Sequence, residues 1–207
     1  MHARSFLAVA ASLAAGLACA DGPATLPYTT VQASFANIDI DDFDNDAEGL
    51  DLSGSFDVGR GVFLLASYST AKTDDFTVGT PFGGLRGSVE VSGASLGAGY
   101  HHALQPDIDL VATAAVLDAE ARFKGDFAGV LEDEDDTGWS AGAGVRALVA
   151  PAVEILAGLD RTDLYDDAEV SWQAGGFYYA TAHLGFGITY EAADESRTTL
   201  FTARWAF

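Results

Sequence analysis

Three things are scarce in this chain, and each scarcity narrows what it can be. Its single cysteine, Cys19, lies in the first twenty residues. The rest of the chain therefore has no means of forming disulfides or thiolate metal sites. Positive charge is also short, with ten Lys and Arg against 31 Asp and Glu and a net charge of −21. Nucleic acid is an unsuitable partner for such a surface, because phosphate binding needs clustered Lys and Arg. Finally, no segment after residue 20 sustains a helical period, and no composition shift or Pro/Ser-rich linker divides the chain. Helical bundles and multi-domain arrangements are thereby excluded, and one all-β domain is left.

What is present begins with a targeting pattern. Residues 1–4 give a short basic start, 6–17 an apolar stretch, and Ala18-Cys19-Ala20 a small-residue site. These are the three parts of a secretory signal peptide. The apolar stretch is shorter than the roughly 20 residues a membrane-spanning helix needs. Cleavage is expected after Ala20, which makes 1–20 the signal and 21–207 the folded domain. A competing reading lipidates Cys19, but Gly16 stands where a lipobox takes a larger aliphatic residue. All 31 acids and all but one of the ten Lys and Arg follow residue 20, so the exported part carries a net charge near −22. Such a charge keeps a chain soluble in transit.

The remaining pattern has a period of two. Leu50, Leu52, Phe56 and Val58 alternate with Asp51, Ser53, Ser55 and Asp57. Leu184, Phe186, Ile188 and Tyr190 alternate with Gly185, Gly187, Thr189 and Glu191. Ten strands follow, near 28–38, 50–58, 62–70, 87–100, 108–121, 138–149, 153–163, 168–180, 182–191 and 197–207, with eight as the alternative if weak segments merge. Their connections alternate in length. Turns near 59–61, 101–107, 150–152 and 180–182 are short, whereas 39–49, 71–86, 123–137 and 164–168 are longer and acidic, with a shorter loop at 192–196. Membrane barrels alternate short periplasmic turns with long external loops, and an even strand count leaves both termini on the periplasmic side. The predicted fold is a closed antiparallel up-and-down transmembrane β-barrel. Phe177, Tyr178, Tyr179, Tyr100, Trp205 and Phe207 fall at the short-turn level, where an aromatic girdle is expected.

The last eight residues, Leu200-Phe201-Thr202-Ala203-Arg204-Trp205-Ala206-Phe207, resemble the closing strand of bacterial outer-membrane proteins, which ends in Phe. The stretch from Gly175 to Thr181 and then Leu184 to Glu191 is similar to the penultimate hairpin of OmpA-like and opacity-type small barrels. The resemblance implies residence in the bacterial outer membrane. It makes Phe201, Trp205 and Phe207 an assembly signal. It also implies outer-membrane lipid and lipopolysaccharide, the assembly machinery and periplasmic chaperones as partners. Such families include adhesins, envelope-stabilising proteins and small porins. The leading expectation is a structural or adhesin-like surface role, and the alternative is a narrow porin-like channel.

Candidate sites are few. Asp39, Asp41, Asp42, Asp44, Asp46 and Glu48 crowd one long loop, and Glu132, Asp133, Glu134, Asp135 and Asp136 another. A solvated loop that keeps the surface charged is the leading account of them, and a weakly bound hard divalent cation, which carboxylates suit, is the alternative. The EF-hand pattern fails, since Ala47 replaces the turn glycine and Ser53 stands at the bidentate position. His101, His102 and His183 fall in short turns, and no Ser/His/acid set gathers at the outer mouth. No enzyme activity and no cofactor are therefore expected. Inside the barrel, Arg146 and Glu154 flank the turn at 150–152. A symmetric hairpin places them opposite each other, where they form a lumen ion pair.

Overall fold

A computed structural model of the chain describes residues 26, 28–40, 46–73, 76–80, 83–125, 129–165, 167–194 and 196–207. The expected signal peptide, its cleavage site, Asp41, Asp42 and Asp44 lie outside the described residues.

The strands are β1 (Thr30–Ile40), β2 (Ala47–Gly59), β3 (Val62–Thr73), β4 (Phe76–Thr80), β5 (Gly83–Gln105), β6 (Ile108–Gly125), β7 (Gly129–Ala150), β8 (Val153–Leu164), β9 (Asp167–Tyr179), β10 (Leu184–Ala192) and β11 (Ser196–Ala206). Each pairs antiparallel with its neighbour, β11 pairs back onto β1, and β3 skips β4 to pair with β5. The result is a closed ten-stranded barrel. β4 adds only to the upper part of β5, outside the ring. Closure removes the exposed edges that an open sheet presents.

In two expected loops the described residues are strand. Those of 71–86 are the end of β3, all of β4 and the start of β5, while 123–125 and 129–137 are the paired ends of β6 and β7. The expected turn at 101–107 is strand as far as Gln105. Acidic residues are poor strand formers, which is why these stretches look like loops. Pairing overrides propensity here. On β6, Leu117, Ala119 and Ala121 turn inward while Asp118, Glu120 and Arg122 do not, and the register sets Arg122 across from Asp133. Among the described residues positive φ occurs in the β2–β3 turn and at Tyr165, at 55°, between β8 and β9. Gly59, Arg60 and Gly61 all adopt positive φ, of 90°, 60° and 81°, as a tight left-handed link between twisted strands requires.

The faces are inverted relative to a soluble barrel. Val31, Phe35, Leu52, Leu64, Leu96, Val116, Val145, Leu159, Ile188 and Phe201 are exposed on the outside. Serines, threonines and charged residues such as Ser34, Ser53, Ser67, Ser95, Thr202, Asp51 and Asp160 are buried inside. A polar interior behind an apolar outer band is the pattern of a barrel whose surroundings are lipid. Exposed aromatics frame the band, with Tyr100, Tyr178, Trp205 and Phe207 toward the short turns and Tyr68, Trp139, Trp172 and Tyr190 toward the long hairpins. Phe177 and Tyr179 do not join the first girdle, because both point inward and are buried. Their parity matches that of Gln173 and Gly175. Across the register Phe177 faces Gly187 and Tyr179 faces Gly185, and these two glycines leave room for the rings.

Candidate functional site: a plugged lumen and an acidic rim

The inside of the barrel carries three zones. In the middle, hydroxyls bond across neighbouring strands: Ser34 to Thr202 at 2.9 Å and Ser67 to Ser95 at 2.7 Å. Toward the long hairpins the inner face sets an apolar cluster, Ile38, Ile40, Val91, Leu117 and Leu164, beside the buried polar side chains of Thr73, Glu191, Ser196 and Thr198. Toward the short turns it is charged.

The charged zone centres on Glu154, which is fully buried. Arg146 donates to its Oε1 from Nε at 3.1 Å and from Nη2 at 2.9 Å. Arg204 donates from Nη1 to Oε2 at 3.2 Å. The Tyr179 hydroxyl donates to the same Oε2 at 2.7 Å and accepts from Arg204 at 2.8 Å. Arg204 Nε reaches Gln32 at 2.9 Å. Two guanidiniums thus share one carboxylate, and aromatic faces take up the remaining positive field. Arg204 lies 3.4 Å from the Phe177 ring centre and Arg146 4.9 Å from that of Tyr28. Buried charges need this many partners, because an unpaired one carries a desolvation penalty of several kcal/mol.

Arg146 and Glu154 do meet, though not as direct cross-strand partners. The register sets Arg146 opposite Leu156 and Glu154 opposite Leu148, since a shift between Leu148 and Ala150 adds a residue to one side of the hairpin. The pair is diagonal. Arg204 faces inward by the parity of the closing strand, opposite in sense to Trp205 and Phe207. Its partner sits 50 residues away, on a strand that is not its neighbour.

Residues just ahead of β1 complete the plug, where the sequence pattern suggests a strand from residue 28 onward. Ahead of β1, Leu26 and Tyr28 are buried in the short-turn end. Tyr28 stacks on His101 at 3.7 Å and on Phe63 at 5.0 Å, and its hydroxyl donates to Asp109 at 2.6 Å. His101, expected in a solvated turn, faces inward and lies 3.2 Å from Asp109. His102 is exposed, and His183 bonds the carbonyl of Ala206 at 2.9 Å and stacks on Trp205. Parity and the turn register carried the signal for His101; nothing local marks Tyr28.

The acidic candidates are spread out. Asp46 is exposed just before β2. Glu132, Asp133, Glu134, Asp135 and Asp136 lie on β7 rather than in a loop. Asp136 accepts a hydrogen bond from the backbone N–H of Tyr165, whose hydroxyl donates to the carbonyls of Ala119 and Glu134 at 3.2 and 3.3 Å. Burial and the charges of Glu134 and Asp136 push the Tyr165 phenol up from its ordinary value. Among the described residues no three His, Asp or Glu side chains converge in a way that holds a metal ion.

The sequence model for the outer membrane protein beta-barrel domain matches residues 5–191. The chain belongs to that family. Membership points to the bacterial outer membrane, so the short-turn end of this outer-membrane barrel is its periplasmic end and the long hairpins are external. Solved structures share the architecture at low identity. The β domain of the Bordetella autotransporter BrkA is 15% identical with a TM-score of 0.57, covering 86% of this chain and 99% of that one. The translocator domain of the autotransporter NalP from Neisseria meningitidis is 11% identical with a TM-score of 0.52, covering 86% and 88%. Ail, the attachment invasion locus protein of Yersinia pestis, seen with the heparin analogue sucrose octasulfate, is 14% identical with a TM-score of 0.45, covering 86% and 96%. Among curated proteins none matches this sequence.

Proposed function

We propose that this outer-membrane barrel serves a surface-interaction role, closed to solutes, with its binding elements on the strands that rise above the membrane. The observation that carries the reading is the buried Arg146–Glu154–Arg204–Tyr179 cluster, which fills the periplasmic end of a barrel already narrow at ten strands. Support comes also from β5, β6 and β7. They continue past their last apolar outward residues, Leu96, Val116 and Trp139, and carry Glu90, Glu120, Arg122 and Asp135 beyond the apolar band. Binding residues tend to collect on such projections from a rigid scaffold.

The test is planar-bilayer recording of the refolded barrel. The proposal expects negligible current with no discrete steps. Reproducible single-channel openings would replace it with the narrow porin-like reading.

A further inference from the structure

Among the described residues five carboxylates are buried in the lumen, Asp51, Asp109, Glu154, Asp160 and Glu191, against two guanidiniums. Arg146 and Arg204 both pair with Glu154. Asp109 is held by Tyr28 and His101 near the short turns. Asp51, on β2, has no such support. It is 4% exposed, its Oδ1 accepts from Ser53 at 3.1 Å, and its Oδ2 meets no hydrogen-bond donor. No ion pair reaches it among the described residues. An ionised carboxylate taken out of water needs an opposite charge.

The strand register gives its surroundings. One row of inward positions crosses six strands at its level: Gly187, Thr202, Ser34, Asp51, Ser69 and Gly93. The next row toward the periplasm holds Gln32, Ser53, Ser67 and Ser95. The next row outward, Leu200, Ala36, Gly49, Ala71 and Val91, has no polar side chain. Asp51 therefore lies where the hydroxyl layer meets the apolar cluster. Ser34 and Thr202 share one hydrogen bond at 2.9 Å. That bond uses one hydroxyl proton, so lone pairs on both oxygens stay available to another partner. No side chain in the row is longer than that of Asp51, and such short side chains leave room within a ten-stranded ring. Every group offered there is a hard oxygen.

We propose that Asp51, with the hydroxyls of Ser34, Ser53 and Ser69, binds one alkali cation, Na⁺ or K⁺, inside the closed lumen. Hard cations take oxygen ligands. A single positive charge balances Asp51, whereas a divalent ion leaves one charge in excess where desolvation is costly. The inference concerns the barrel interior and is independent of any surface role.

The refolded full barrel in non-ionic micelles tests it, since refolding lets the ion enter before the ring closes. Na⁺ or K⁺ replaces N-methyl-D-glucamine, a bulkier cation, at fixed chloride and ionic strength. The urea midpoint of the parent is expected to rise by roughly 0.5–1 M per tenfold increase in the preferred ion once the site is half filled. Asp51→Asn, which keeps the shape and removes the charge, should lose that dependence. Asp118→Asn, on the outer face, should keep it. Ser34→Ala/Ser69→Ala, which leaves the carboxylate and removes two hydroxyls, should need at least about tenfold more ion for the same rise. A parent midpoint indifferent to both ions would overturn the proposal and leave water or a proton on Asp51. So would the parent's full dependence in Asp51→Asn or in the double serine variant. Stabilisation by Ca²⁺ that requires Asp51 and needs less ion than Na⁺ or K⁺ would overturn it as well.

Discussion

Phe63, Phe177 and Tyr179 turn inward by one shared device: each lies across a glycine of the adjacent strand, Gly99, Gly187 and Gly185 respectively. A Cβ on Gly187 would stand 2.5 Å from the Phe177 ring, and one on Gly185 2.7 Å from the Tyr179 ring. The glycines are therefore part of the plug. Gly99→Ala, which sets a methyl against the Phe63 ring, is expected to destabilise the barrel by roughly 1–3 kcal/mol, as overpacking does. Gly54→Ala, whose new methyl meets only the Thr30 carbonyl at 3.4 Å, should stay within about 0.5 kcal/mol of the parent. Urea unfolding midpoints in detergent micelles compare the two. Glu154 is the most consequential single side chain, because two buried guanidiniums depend on it. Glu154→Ala is expected to cost about 3–5 kcal/mol in the same assay, the range for removing one partner of a buried pair. A midpoint within error of the parent would mean that water replaces the carboxylate without loss.

At the level of whole elements, β11 was the most legible part of the sequence. Its alternation is uninterrupted, its terminal Phe fixes the parity, and Phe201, Trp205 and Phe207 face outward while Thr202 and Arg204 face inward. The inward placement of Arg146 and Glu154 was legible for the same reason, parity counted from a short turn; their diagonal offset was not, because a one-residue register shift leaves no mark in composition. The acidic hairpin ends were misread as loops, since propensity speaks against strand there and only pairing reveals it. Tyr28 was legible only as the start of a strand at 28–38; its role in the plug was not, because that depends on the far side of the lumen. Two predictions belong here. Deleting Phe207 is expected to lower the outer-membrane fraction of the protein without reducing the exported pool, which cell fractionation measures. Joining Leu117, which faces Gly138 in the register, to that residue through an Asn-Gly turn removes the projecting parts of β6 and β7. The shortened barrel should still show heat-modifiable gel mobility, with a lower unfolding midpoint from the loss of Ala119 and Ala121, and should lose attachment of expressing cells to a matrix-coated surface. Attachment equal to the parent would place any binding elsewhere.

Across the whole molecule, the lumen is obstructed twice by unlike means. The periplasmic end holds charges locked by Glu154, Tyr179 and Gln32, with Tyr28 wedged beneath them. The external end holds the aliphatic side chains Ile38, Ile40, Val91, Leu117 and Leu164, packed beside the buried polar groups of Glu191, Ser196 and Thr198. Between them lies a layer of serines, threonines and glycines. An ion crossing the barrel therefore meets an electrostatic lock and then a close-packed, largely aliphatic constriction, where losing its hydration is costly. The two obstructions act in series, so removing one leaves the other. Glu154→Ala/Arg146→Ala/Arg204→Ala, which clears the charged lock, is expected to conduct no better than the parent in planar bilayers. Ile38→Ser/Leu117→Ser, which wets the external cluster, is likewise expected to remain closed. Only the combination of all five substitutions should give discrete openings. If the triple variant alone conducts, the apolar cluster is no barrier and the charged zone is the sole seal.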